Sequence, residues 1–184
     1  MGGCLKIHSP AADVNKDCIG ECVMQKRNWV RLFFAIYILV VIRVIIFKYP
    51  AEELRAIAAS WQKDVILEGL GTANFKPFKT IKMYIDYSYK LNSAENLLGN
   101  VLAFVPFGFL FPMVARDGDI FFVMLLNAFI FVLGIEVFQL FSAFGAFDVD
   151  DILLNCLGAS IGFGCYRLGR FLRGKRRLYS WKKS

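Results

Sequence analysis

Apolar residues gather in four long runs, at 29–47, 97–115, 120–144 and 152–168, separated by stretches rich in charge. A helix needs roughly 20 apolar residues to cross the hydrocarbon of a bilayer, and each run comes close to that length. The pattern predicts an all-α membrane protein, a bundle of about four transmembrane helices. Between the first and second runs, Leu54, Ile57, Ala58, Trp61 and Val65 recur at helical spacing with charged residues between them. That is the pattern of an amphipathic segment lying on the membrane surface or packed on the bundle. Asn92 with Glu95 resembles a capping box at the start of the second span. Pro106 and Pro112 lie inside that span and should kink it, so neighbouring helices are expected to supply partners for the freed carbonyls. In the short fourth run, Gly158 and Gly162 have the spacing that lets another helix approach closely.

Composition agrees with this reading. The 184 residues are 57% hydrophobic, above the roughly 45–50% usual for soluble domains. No stretch resembles a linker, so one domain is expected at 29–168, between an N-terminal segment at 1–28 and a basic tail at 169–184. The net charge of +7 does not point to nucleic acid, because no basic face or recognition module accompanies it. Arg167, Arg170, Arg173, Lys175, Arg176, Arg177, Lys182 and Lys183 all follow or close the last apolar run. A tail of this kind meets anionic lipid at about 1 kcal/mol per charge.

Basic residues flanking the spans also predict orientation. Lys26, Arg27 and Arg31 open the first span, Arg116 stands in the short second loop, and the basic tail closes the chain. These segments are expected inside, which places both termini in the cytoplasm and the loop with Asp148, Asp150 and Asp151 outside. The stretch from 48 to 95 then also lies outside, although it holds seven Lys or Arg. An even number of spans keeps the termini together, and the tail outweighs that loop.

The five cysteines, Cys4, Cys18, Cys22, Cys156 and Cys165, are odd in number and form no evident disulfide framework. Cys18 and Cys22 have the spacing of half a zinc site, but no second pair follows and His8 is the only histidine, so neither metal nor cofactor is expected. The opening Met1-Gly2-Gly3-Cys4 resembles an acylation signal, with Lys6 where such a site wants Ser or Thr. No small-residue cleavage site follows the first apolar run, which therefore reads as an anchor.

Polar residues inside the spans are the candidates for chemistry. At 1.5 Å per residue, Asn100 and Asn155 lie about 5 Å below the outer ends of their spans, and Glu136 and Gln139 roughly 8–12 Å below theirs. Asn96 with Asn100, Glu136 with Gln139, and Asp151 with Asn155 each share one helix face. Asp148, Asp150 and Asp151 stand just above them, and Arg43 is near the outer end of the first span. Charged groups at the bilayer centre cost about 2.5–3.5 kcal/mol on insertion scales and usually face a bundle interior, where they mark function. The expected ligand-binding cluster is therefore Asn96, Asn100, Glu136, Gln139, Asp148, Asp150, Asp151 and Asn155. Structural roles compete with that reading: an aspartate at a helix start caps it, and asparagines bond helices together. Arg43 can snorkel to the interface or pair with Glu136.

Taken in order, the residues resemble the VanZ-like family. The matching pieces are Asn74-Phe-Lys-Pro77-Phe78-Lys-Thr80-Ile81, then Asn96-Leu-Leu-Gly99-Asn100 with Phe104, Pro106, Gly108 and Pro112, then Glu136-x-x-Gln139, and finally Asp148-Val-Asp150-Asp151-Ile-Leu-Leu-Asn155 with Gly158 and Gly162. The likeness spans roughly 37–168. It departs where the family often has an arginine before the Phe-Asp pair and this chain has Gly145 and Ala146. The resemblance implies a bacterial plasma-membrane protein, in a family whose named member lowers susceptibility to the glycopeptide teicoplanin.

Three functions follow as expectations. In the first, the outer polar cluster binds a lipid-linked envelope precursor or a lipoglycopeptide without turnover. In the second, an enzyme acts on an envelope lipid, using Glu136, Asp148, Asp150 and Asp151 as hard-cation ligands or as general acid and base. No nucleophile with an adjacent base or phosphate-cradling glycine loop supports it. In the third, the protein is a small transporter or an assembly partner; four helices leave room for a pathway only in a homo-oligomer.

Overall fold

The structure, a computed structural model, describes residues 10–46, 52, 55, 59, 69–86, 93–142 and 145–181. Helices that can be bounded among the described residues are α1 (Pro10–Ile46), α2 (Lys79–Asp86), α3 (Ser93–Val114), α4 (Phe121–Ser142) and α5 (Val149–Trp181), and residues 69–72 are helical as well. Four of them are long and apolar enough to cross a membrane, over Arg27–Ile45, Leu97–Val114, Phe121–Ser142 and Val149–Gly174. These are the four runs seen in the sequence, and the fold is an all-α bundle of four candidate spans. The helices themselves are longer than the first and last runs. α1 starts at Pro10, a residue suited to the first helical position, and α5 continues through the basic stretch to Trp181. The amphipathic pattern around Leu54–Trp61–Val65 and the Asn92 cap lie largely outside the described residues.

The bundle is built around the seam between α3 and α5. In lipid, water does not drive helices together, so close packing of small residues has to do it. A Cβ added at Gly108 would meet the Ala159 carbonyl oxygen at 1.8 Å, one at Gly158 the Val101 oxygen at 2.0 Å, and one at Gly162 the Val105 oxygen at 1.9 Å. Only glycine allows this approach. Asp151, Asn155, Gly158 and Gly162 follow at steps of four, three and four, so the face of α5 that meets α3 also carries the polar pair.

Aromatic rings fill the remaining core. Phe107 stacks on Phe111 at 5.4 Å and on Phe131 at 6.0 Å, and Phe34 of α1 meets Phe107 at 5.6 Å. Phe104, Met124, Ala128 and Ala159 are fully buried beside them. Leu39 and Phe122, in contrast, are 66% and 77% exposed on outward faces, as expected of helices whose surroundings are apolar. α3 runs through both prolines. In the turn before Pro106, the Tyr37 hydroxyl of α1 donates to the Ala103 carbonyl at 2.6 Å, an interhelical bond one residue on from Leu102, whose carbonyl is the one that Pro106 leaves without its helical donor.

Candidate functional site

The expected polar residues do converge at one end of the bundle, where α3 and α5 begin and α1 and α4 finish. The arrangement starts from Asn74. Its backbone forms a parallel bridge with Asp148, with Asn74 N–H donating to the Phe147 carbonyl at 2.8 Å and Val149 N–H to the Asn74 carbonyl at 3.1 Å. The side-chain oxygen of Asn74 accepts the Lys76 N–H at 3.1 Å, which starts the turn leading into α2.

Two aspartates then cap two different helices. Asp148 immediately precedes α5, and its Oδ1 accepts the Asp150 N–H at 2.8 Å, the bond of an ordinary N-cap. The same oxygen accepts from Asn74 Nδ2 at 2.8 Å, and Oδ2 accepts from the Thr80 hydroxyl at 2.6 Å. Asp150 lies in the first turn of α5 but serves α2. Its Oδ1 accepts Phe78 N–H at 2.5 Å, and its Oδ2 accepts Thr80 N–H at 2.7 Å and Ile81 N–H at 3.1 Å. The residue just before α2, at the capping position, is Phe78, which has no side-chain acceptor, so the cap has to come from elsewhere. Phe78 takes φ 64° to present its N–H. Asp150 is fully buried, and oriented N–H groups at a helix start can hold such a charge.

Glu136 and Gln139, both buried, share a face of α4 but hold different partners. Glu136 Oε2 accepts the Asp148 N–H at 2.9 Å. Gln139 Nε2 donates to the Ile45 carbonyl at 3.2 Å, one of the last carbonyls described in α1. Gly145 lies against that amide: a Cβ there would sit 2.9 Å from Gln139 Cδ. Ala146, directly before the Phe147–Asp148 pair, is exposed. Arg43 is exposed on α1.

The third group is different. Asn100 Nδ2 donates to Asp151 Oδ1 at 2.6 Å across the α3–α5 seam, and both residues are half-buried. One turn further along α5, Asn155 is 2% exposed, and its Oδ1 has no hydrogen-bond partner among the described residues. The Asn96 side chain lies outside the described residues. Beside Cys156, an apolar groove of about 330 Å³ runs along α4, lined by Phe122, Leu125, Leu126 and Phe129. No group of three or more His, Cys, Asp or Glu among the described residues is arranged as a metal site.

Sequence reasoning left Asn74 and Thr80 out of the cluster, although both stand in the motif around Pro77. It also missed a polar group at the other end of the bundle. There Asp119, in the loop between α3 and α4, accepts from the Tyr166 hydroxyl at 2.9 Å and forms an ion pair with Arg170, both on α5. The Arg170 guanidinium, and after it the Tyr166 hydroxyl, hold the Asp119 carboxyl below the usual carboxylate range.

Fold and site together define a small multi-pass membrane protein with a polar knot at one end of its bundle. A family model, that of VanZ/LLP1, matches residues 34–171, well over half the chain, and the chain belongs to that family. No curated protein and no solved structure matches it.

Proposed function

We propose that this protein binds a lipid-linked or lipidated envelope molecule, without chemical turnover, at the α3–α5 face of the polar end. The observation that carries the reading is the buried, unpartnered Oδ1 of Asn155, next to the accessible Asn100–Asp151 pair. Leaving a buried acceptor unpaired costs about 1–3 kcal/mol, and such a group in a native structure calls for an explanation. A hydroxyl or amide N–H of a ligand headgroup would supply the missing donor. A groove on the α4 side of Cys156, along the first half of α4, offers apolar walls for an acyl or prenyl chain that reaches down the bundle from the polar end. Support is weaker for acid–base chemistry at Asp148 and Asp150, because each of their carboxylate oxygens already accepts from protein groups.

The reading places the polar end at the outer leaflet of a bacterial plasma membrane and both termini in the cytoplasm. Exposed Arg27, Arg31, Arg116, Arg167, Arg170 and Arg173 at the opposite end support that orientation through the positive-inside rule, and contact of the basic tail with anionic lipid belongs to the same reading. Lowered susceptibility to lipoglycopeptides is one outcome such binding would have.

The test compares growth inhibition by teicoplanin and by vancomycin in a susceptible host carrying wild type or Asn155→Leu at matched membrane levels, with binding of labelled teicoplanin to the purified protein. Protection against teicoplanin alone, with saturable binding, both lost in Asn155→Leu, is expected. Equal binding by wild type and variant overturns the site, and absence of protection removes glycopeptides from the ligand class. Asn155 is the informative position, since changes at Asp150 or Glu136 would disturb the fold as well.

A further inference from the structure

The segment joining Asn74 to the end of α2 exposes a surface that the proposed binding site does not use. Phe75, Phe78 and Ile85 are 56%, 66% and 65% exposed. Lys76, Lys79 and Lys82 stand exposed among them, with Asp86 the one exposed acid in the same stretch. Apolar rings alternating with lysines suit neither water nor hydrocarbon, but they suit the boundary between the two.

The height of this surface is set by the fold. The Asn74–Asp148 bridge lies one residue before α5 begins, at the end of a candidate span. Asp150 then fastens the first turn of α2 to the same level. The surface therefore lies where hydrocarbon gives way to headgroups, whichever leaflet this end faces. Phe78 adds a second argument. Its φ of 64° is one that glycine adopts freely and a bulky L residue rarely does. Glycine would present the same N–H to Asp150, so the capping bond does not account for a phenylalanine here. Nor does packing, with two thirds of its surface exposed.

We propose that residues 75–86 form an interfacial foot that docks on anionic lipid, with Phe75, Phe78 and Ile85 in the acyl boundary and Lys76, Lys79 and Lys82 against the lipid phosphates. Charge selects this occupant: three cations against one acid match an anionic headgroup layer. Because Asp150 ties the foot to α5, lipid that binds the foot stabilises the bundle.

The experiment uses the full chain in nanodiscs of phosphatidylcholine, with or without phosphatidylglycerol. In a background of Trp29→Phe, Trp61→Phe and Trp181→Phe, the Phe78→Trp indole should emit at short wavelength and be quenched more by lipids brominated near the headgroup than by lipids brominated at the chain ends. Phosphatidylglycerol should raise the melting temperature of wild type, and a Lys76→Gln/Lys79→Gln/Lys82→Gln variant should lose most of that gain. The C-terminal tail is unchanged in this variant, so its contribution is common to both proteins. A water-exposed, unquenched indole, or an undiminished gain in the triple variant, overturns the proposal. Neither readout involves Asn155, so the ligand site and the foot fail independently.

Discussion

The two ends of the bundle hold their carboxylates in opposite ways. At one end Asp150 is fully buried and is met by three backbone N–H groups of a helix that lies earlier in the chain. At the other, Asp119 pairs with Arg170 while both side chains stay about half exposed, at 43% and 54%. The first arrangement needs no cation, because the start of α2 supplies oriented partial charges that move with the backbone. The second is an ion pair in water's reach, where attraction is screened and side-chain entropy opposes it. Burial therefore decides which carboxylate matters to the fold, and the formal ion pair is the lesser of the two.

The largest effect should come from Asp150→Asn. The amide turns a donor toward N–H groups that are donors themselves, leaving at least one buried and unpaired. Losing charged hydrogen bonds of this kind and stranding a donor costs about 3 kcal/mol, or roughly 10 °C in melting temperature for a chain of this size. Thermal unfolding in detergent checks it, and a loss no larger than that of Asp119→Asn would erase the contrast between the two ends. Glu136→Gln should fall between them. Glutamine keeps an oxygen for the Asp148 N–H, so the change exchanges a charged acceptor for a neutral one at about 1 kcal/mol. If Glu136→Gln is as damaging as Asp150→Asn, Glu136 has a role beyond holding the loop before α5.

The spans and the polar end were legible in the sequence because both follow from local rules. Length and apolarity give each crossing, and alternation of direction brings the starts of α3 and α5 to one end. The glycine seam was legible for the same reason: Gly158 and Gly162 are one turn apart, and the face they share is fixed by helical periodicity. What local rules could not show is the partner of each polar group. Asp150 and Phe78 are 72 residues apart in sequence, and nothing near Asp150 says that it caps α2. Glu136 and Gln139 were correctly placed on one face, yet one reaches the start of α5 and the other the end of α1. The positive φ of Phe78 had no signal at all, since glycine is the residue that would announce it. The Asp119–Tyr166–Arg170 group escaped because Asp119 and Arg170 looked like ordinary loop and tail residues and Tyr166 like one more aromatic of the last apolar run.

The smallest effect, and the one that sharpens the comparison most, belongs to Asp119→Asn. The folded-state carboxyl titrates lower than it does in the unfolded chain, so its contribution to stability is fully present above the unfolded value of about 4 and is lost as pH falls below it toward the folded value. Wild type should exceed Asp119→Asn slightly at neutral pH, and the difference should close under acid conditions. High salt should narrow the same gap, because at about 1 M the screening length shrinks to roughly 3 Å. The deficit of Asp150→Asn, made by backbone groups out of contact with the solvent, should survive that salt. A gap at Asp119 that persists in both acid and salt would mean that the carboxyl acts through packing with Tyr166 and not through charge.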